Sequence, residues 1–230
     1  MLKYVIISAA GMGTRLGGEI PKQFIEVNGE PIFITTLKKF KMDCVDKIIL
    51  TIPDNREWDG YVDYKLKLFN IRDVDIIYGG STAEETRWLA LKHIKLTYEI
   101  GNDDIVIFHD AVRPNVPIEM IYKVIESCDM NGTAIPYIIC KDSMCEINGN
   151  HIVGYIDNSN KVRLQTPQAF LFNKIYESYD KLGPDKWLGS PILTYSQFHE
   201  DINLIDGHEI NFKITTTDDL ELYKKIFVFN

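Results

Sequence analysis

Two glycines, an arginine and a lysine near the N-terminus are the residues of this chain best suited to chemistry. Gly11, Gly13, Arg15 and Lys22 follow an apolar run, Tyr4–Ala9, that is short enough for a buried strand. Small residues at Ala9, Ala10, Gly11 and Gly13 let backbone N–H groups come close to phosphates and a base edge, which bulkier side chains would block. Arg15 and Lys22, seven residues apart, bring two positive charges to the same rim. A loop of this kind is suited to a nucleoside triphosphate. Two familiar glycine loops do not fit. The third glycine of a dinucleotide fingerprint would fall on Leu16, and Gly17 comes one residue late. A P-loop needs a Gly-Lys pair, which the chain lacks.

The elements that must position this loop alternate. Strands are expected at Tyr4–Ala9, Lys47–Ile52, Asp75–Tyr78, Asp104–Phe108 and Thr133–Cys140, and helices at Ile32–Lys41, Trp58–Leu68, Ala83–Ile94 and Pro117–Cys128. Continuous apolar strands in βαβα order predict an α/β fold, a mostly parallel sheet with helices on both faces. Ligands of such sheets bind beyond the carboxyl ends of the strands, which brings residues 11–15, Gly79-Gly80 and His109–Arg113 to one rim. The region 143–165 breaks the alternation. Asn148-Gly149-Asn150 between Glu146-Ile147 and His151–Ile156 reads as a hairpin, expected to project as an arm over 143–162. Its apolar residues, Ile147, Ile152, Val153, Tyr155 and Ile156, need a cover, and a second copy of the chain is the expected one.

At 230 residues with 45% hydrophobic content, one domain over 1–230 with the arm as an excursion is expected. A net charge of −8 argues against a nucleic-acid partner. No apolar stretch is long enough for a membrane span, and Met1-Leu2-Lys3 leads directly into a strand, so a cytoplasmic location is expected. Cys44, Cys128, Cys140 and Cys145 read as reduced thiols, with no second Cys or His pair at zinc-ligand spacing.

Gly11, Gly13, Thr14, Arg15, Leu16, Pro21 and Lys22 fit G-x-G-T-R-L-x4-P-K, which resembles the signature of nucleotidyltransferases that make activated sugars and polyols. Four further segments narrow the resemblance: Pro21-Lys22-Gln23-Phe24, His109-Asp110-Ala111-Val112-Arg113-Pro114, Gln165–Phe170 and Asn211–Leu220, together with Gly79-Gly80. They look like the family of 2-C-methyl-D-erythritol 4-phosphate cytidylyltransferases, which also holds the ribitol 5-phosphate cytidylyltransferases. The resemblance implies a Rossmann-like nucleotidyltransferase fold, a homodimer joined through the arm, and a Mg²⁺-dependent attack of a polyol phosphate on CTP. It implies catalytic cations at Arg15, Lys22 and Lys213. It assigns nucleotide contacts to Ala9, Ala10, Gly11, Gly13, Gly80, Ser81, Thr86 and Ala111. On the acceptor side it points to Asp110, Arg113, Ser143, Asn158 and Arg163, with Asp110 also a metal ligand. The chemistry agrees with these residue types. A phosphate monoester with a second pKa of about 6 is already a nucleophilic dianion at neutral pH, so charge and positioning suffice without a general base.

Departures from the family pattern gather on the acceptor side. Cys145 and Asn158 stand where the methylerythritol enzymes carry a lysine and an arginine, although Lys161 and Arg163 lie close enough to substitute for the arginine; Gly189-Ser190 or Thr194-Tyr195 replaces a Thr-Asp segment, and Ser81 replaces an aspartate. These changes favour a ribitol- or glycerol-type phosphate as acceptor, with methylerythritol phosphate, the isoprenoid substrate, as the alternative. Two rival classes are weaker. A glycosyltransferase of similar architecture would hold its metal with D-x-D, and the chain's only such triplet is Asp73-Val74-Asp75, placed away from the rim. A non-catalytic nucleotide sensor would not need Lys22 and Lys213 on the phosphates.

Overall fold

The strands read as continuous apolar runs because both of their faces are covered. Val5 and Ile7 of the first strand pack in one core, while Tyr4 and Ile6 pack in the other. The computed structural model describes residues 1–11, 20–54 and 56–228, so Gly13 and Arg15 lie outside the described residues. In chain order the elements are β1 (Lys3–Ser8), β2 (Glu26–Val27), β3 (Glu30–Pro31), α1 (Ile32–Lys39), β4 (Lys47–Ile52), α2 (Arg56–Leu68), β5 (Val74–Tyr78), α3 (Ala83–Thr97), β6 (Ile105–Asp110) and α4 (Ile118–Asn131). There follow β7 (Thr133–Ile139), β8 (Met144–Asn148), β9 (His151–Ile156), β10 (Val162–Leu164), β11 (Gln168–Leu171), α5 (Phe172–Leu182), α6 (Pro191–Tyr195), β12 (Leu204–Asp206) and α7 (Thr217–Val228).

The main sheet runs β10-β7-β11-β6-β1-β4-β5, with β12 also paired to β7. Its half from β6 to β5 is parallel, register-locked by pairs such as Ile6↔Ile49 and Ile6↔Phe108. Beyond β6 the sheet is mixed, because β11 is wedged antiparallel between β6 and β7. Side chains of α1, α2 and α4 fill the core on one face, and those of α3, α5 and α6 the core on the other. A third cluster docks α7, through Leu220 and Tyr223, against Val27, Ile32, Val112 and Ile214.

Local chemistry sets the helix ends. Thr82 caps α3, its hydroxyl accepting from the Glu85 N–H at 3.0 Å. Gly132 ends α4 at φ 78°, a left-handed conformation that favours glycine. The arm is a two-stranded sheet of β8 and β9, turned through Gly149 at φ 58° and unpaired with the main sheet. Ile147, Ile152, Val153 and Tyr155 are each more than 60% exposed on it, so their own chain does not cover them. Among the described residues no helix is long and apolar enough to cross a membrane.

Candidate active site

A cleft of about 1070 Å³ opens beyond the carboxyl ends of the parallel strands. Ser8–Gly11 follow β1 into it, Pro53 and Asp54 follow β4, Gly79–Ser81 follow β5, and Asp110 and Val112 come from the end of β6. Lys22, Gln23, Thr86, Arg87 and Lys213 complete much of the lining.

One wall is made of backbone. Gln23 is buried, and its amide donates to the carbonyls of Ala9 at 2.6 Å and Gly11 at 2.9 Å. The stretch Ala9–Gly11 is therefore braced from behind before any ligand arrives. Gly79 lies against Ala10 so closely that a Cβ there would collide with the Ala10 methyl and sit 2.8 Å from Thr86 Oγ1. Thr86 Oγ1 accepts from the Gly80 N–H at 3.0 Å and donates to the Thr82 carbonyl at 2.8 Å. Around Gly11, by contrast, no described atom lies within 4 Å of where a Cβ would stand. Its small size is not needed by its described neighbours and leaves room on the cleft side.

The opposite wall is built on charge. Asp110, at the end of β6, receives Lys213 Nζ and Arg113 Nε on the same oxygen, Oδ2, each at 3.1 Å. Burial alone would raise its carboxyl, but the charges of Lys213, Arg113 and Arg87 outweigh that and hold it well below the usual carboxylate range. Lys213 sits on an irregular segment between β12 and α7, and buried polar side chains hold that segment in place. Asn211 donates to the Thr166 carbonyl at 2.8 Å, Gln165 donates to the His208 carbonyl at 2.9 Å, and Arg113 Nη1 donates to the Asn211 carbonyl at 2.8 Å.

His109 lies beneath, and burial pushes its imidazole down to about 3, so it is neutral. Its Nε2 lies 3.2 Å from the Arg113 carbonyl, which can only accept, so the proton is assigned to Nε2. Nδ1 then accepts from the Thr166 hydroxyl at 3.2 Å, whose oxygen takes the Asp110 N–H at 3.2 Å. This histidine orients the backbone of its neighbour.

Several residues singled out in the sequence have other engagements. Ala111 is fully buried outside the cleft, with its N–H on the Ser8 carbonyl and its carbonyl on the Thr36 hydroxyl. Arg113 is a brace between Asp110 and Asn211, not part of the cleft lining. Both the N–H and the hydroxyl of Ser81 donate to Glu85 at 2.7 Å. Asn158 closes the base of the arm, its amide donating to the carbonyls of Asp142 at 2.7 Å and Cys140 at 3.3 Å. Arg163 is exposed and paired with Glu209 at 3.1 Å, and Ser143 is exposed at the start of the arm. Asp75 of the D-x-D triplet, on β5, is taken up by His93 of α3 at 2.8 Å and by Tyr98 just beyond that helix at 2.7 Å, outside the cleft lining. Gln23 and Arg87 were not foreseen. Gln23 carried a faint signal in its place after Pro21-Lys22, and Arg87 carried none.

Residues 3–228 match the family model described as 2-C-methyl-D-erythritol 4-phosphate cytidylyltransferase. The chain belongs to this family. Relatives bearing that name in Clostridium beijerinckii and Clostridium perfringens are each 33% identical over 230 residues, covering 94% of this chain and 94% and 95% of theirs. The crystal structure of the Francisella tularensis 2-C-methyl-D-erythritol 4-phosphate cytidylyltransferase superposes with a TM-score of 0.82 at 28% identity, over 98% of this chain and 99% of that one. The expected nucleotidyltransferase fold is thus the observed one, and the chain belongs with the CTP-dependent cytidylyltransferases.

Two predictions follow from the opposed walls of this cytidylyltransferase. Gly79→Ala should lower stability by about 1–3 kcal/mol through overpacking, whereas Gly11→Ala should change it by less than about 0.5 kcal/mol and weaken CTP binding at least ~10-fold (about 1.4 kcal/mol). Urea midpoints and calorimetric titration with CTP read the two effects. Equal destabilisation of both variants, or undiminished CTP binding by Gly11→Ala, would refute the distinction.

The second concerns acid. Between pH 6.5 and about 3 the unfolded chain protonates His109 while the folded protein keeps it neutral. Acidification through that window therefore favours unfolding by roughly 1 kcal/mol per pH unit from this residue. His199, also held low by burial, acts in the same direction. Unfolding free energies of His109→Gln measured from pH 6.5 to 4.5 should show a shallower slope than those of the wild type. An identical slope would show that His109 does not carry the effect.

Proposed function

We propose that this protein transfers CMP from CTP to 2-C-methyl-D-erythritol 4-phosphate, releasing pyrophosphate. The observation that carries this acceptor is the 33% identity, end to end, with relatives named for that reaction. The departures at Cys145 and Asn158, which favoured a ribitol-type phosphate on the sequence alone, weigh less.

The backbone wall at Ala9, Ala10, Gly11 and Gly80 takes the base and ribose, where N–H groups and small side chains allow close approach. Lys22 and Lys213 hold the phosphates, joined by Arg15 in this reading. Lysine is a compact point charge, suited to a phosphorus centre whose geometry changes during transfer. The acceptor's phosphate dianion attacks the α-phosphorus, pyrophosphate leaves, and no proton has to be removed first. The residues fit a Mg²⁺ ion of the expected kind. Asp110 presents one ionised carboxylate to the cleft, and its Oδ1 takes part in neither ion pair. Mg²⁺ commonly needs only one or two carboxylates beside substrate phosphates and water. Bound there, it would neutralise charge on the triphosphate.

The arm supports a homodimer. Four apolar side chains, each more than 60% exposed on one small hairpin, form a surface that a second copy of the chain would cover.

Pyrophosphate release with CTP is expected to be at least ~10-fold more efficient in kcat/KM for methylerythritol phosphate than for ribitol 5-phosphate or glycerol 3-phosphate (about 1.4 kcal/mol). The reverse order would replace the acceptor and leave the transferase. Light scattering should find a dimer at micromolar concentration, converted to a monomer by Ile152→Lys with Tyr155→Lys. A monomeric wild type would remove the arm's assigned role.

A further inference from the structure

A buried carboxylate needs one counter-charge, and Asp110 has more than that. Lys213 and Arg113 both sit at 3.1 Å, and the charge of Arg87 bears on it as well. Arg87 in turn has its own partner, Glu84 Oε1, at 2.6 Å. In this cluster three cations thus face two carboxylates, while Asp54 and Glu85 also line the cleft. Of the three, Arg113 is committed to the Asn211 carbonyl, while Arg87 and Lys213 line the cleft. The Arg87 side chain is only 11% exposed, which strengthens its field.

The arm has lost both cations of the family pattern, and the exposed Lys161 at its end is the one lysine or arginine it keeps. Cys145 and Asn158 stand at its two family cation positions, the Asn158 amide is tied to the Asp142 and Cys140 carbonyls, and the exposed Arg163 is paired with Glu209. We propose that Arg87 holds the phosphate of the acceptor in this enzyme, its guanidinium fork gripping the oxygens beside Lys213 over Asp110. A planar fork that donates two parallel hydrogen bonds is the side-chain chemistry best matched to a phosphate monoester. The inference rests on the reading of a phosphate-bearing acceptor, and it moves part of that acceptor's recognition from the arm to α3.

The test uses the full-length protein with Arg87→Gln and Arg87→Lys. Pyrophosphate-release kinetics would be run with CTP and methylerythritol phosphate, and calorimetry would follow inorganic phosphate binding to the CMP-saturated protein. Arg87→Gln should raise the KM for the acceptor ~10- to 100-fold, leave the KM for CTP within twofold, and weaken phosphate binding by a similar factor. Arg87→Lys should recover part of the loss, because it keeps the charge without the fork. A higher KM for CTP with an unchanged acceptor KM would assign Arg87 to the triphosphate and overturn the proposal. So would unchanged phosphate binding in Arg87→Gln, or an equal loss in both variants with a lowered melting temperature. If the wild type does not turn over methylerythritol phosphate but Arg87→Gln still loses phosphate binding, the acceptor assignment fails and the role of Arg87 stands.

Discussion

The ion pair between Asp110 and Lys213 is the constraint on which the rest of the cleft depends. A carboxylate taken out of water at the end of a central strand is costly unless it is paired and hydrogen-bonded. Pairing it brings Lys213, and with it an irregular stretch of chain, to the carboxyl edge of the sheet. That stretch has no ladder to satisfy its backbone, so Gln165 and Arg113 donate to its carbonyls, and its own Asn211 ties it to the Thr166 carbonyl. On this wall, Gln165 and Asn211 are therefore accounted for by one charge and by the segment it recruits. The opposite wall needs no charge of this kind. Its geometry comes from small residues and from a buried glutamine amide, and it is set before a ligand binds.

Much of the fold was legible because the strands are buried on both faces. A continuous apolar run such as Ile105–Phe108 can fit only a central strand once its flanks are known, and the alternation up to Thr133 was read to within a few residues. The arm was legible from Asn148-Gly149-Asn150, where the structure has a left-handed glycine at the turn. After residue 160 the signal fails. β10, β11 and β12 have three or four residues each, too few for periodicity to register, and their pairing is set by distant partners. The antiparallel position of β11 between β6 and β7 is a property of the whole sheet and could not be read from Gln168–Leu171 alone.

Legibility of the site followed a similar rule. Lys22, Asp110, Gly80 and Lys213 stand in motifs, and all four line the cleft. Arg113 and Asn158 also stand in motif positions, yet their side chains are engaged by carbonyls that only the folded chain brings near. A motif position specifies where a residue lies along the chain, but not which acceptor will reach it first. Arg87 is the converse case. It is one cation among many on a helix, and only the fold, which brings it to the same cleft as Asp110, gives it meaning.

The wedge of β11 also governs when the site can exist during synthesis. β1, β4, β5 and β6 can pair as soon as residue 110 has left the ribosome, because each finds its neighbour within that stretch. The next sheet position beside β6 must then stay open while α4, β7 and the whole arm emerge, until Gln168–Leu171 arrive to fill it. Thr166, which takes the Asp110 N–H, comes only with that strand, and Lys213 later still. During this interval one edge of β6 is an unpaired template, the kind of surface on which chains join wrongly. The nascent chain therefore passes through a stage at which its backbone wall is built, Asp110 still lacks Lys213, and its central strand is open to the wrong partner.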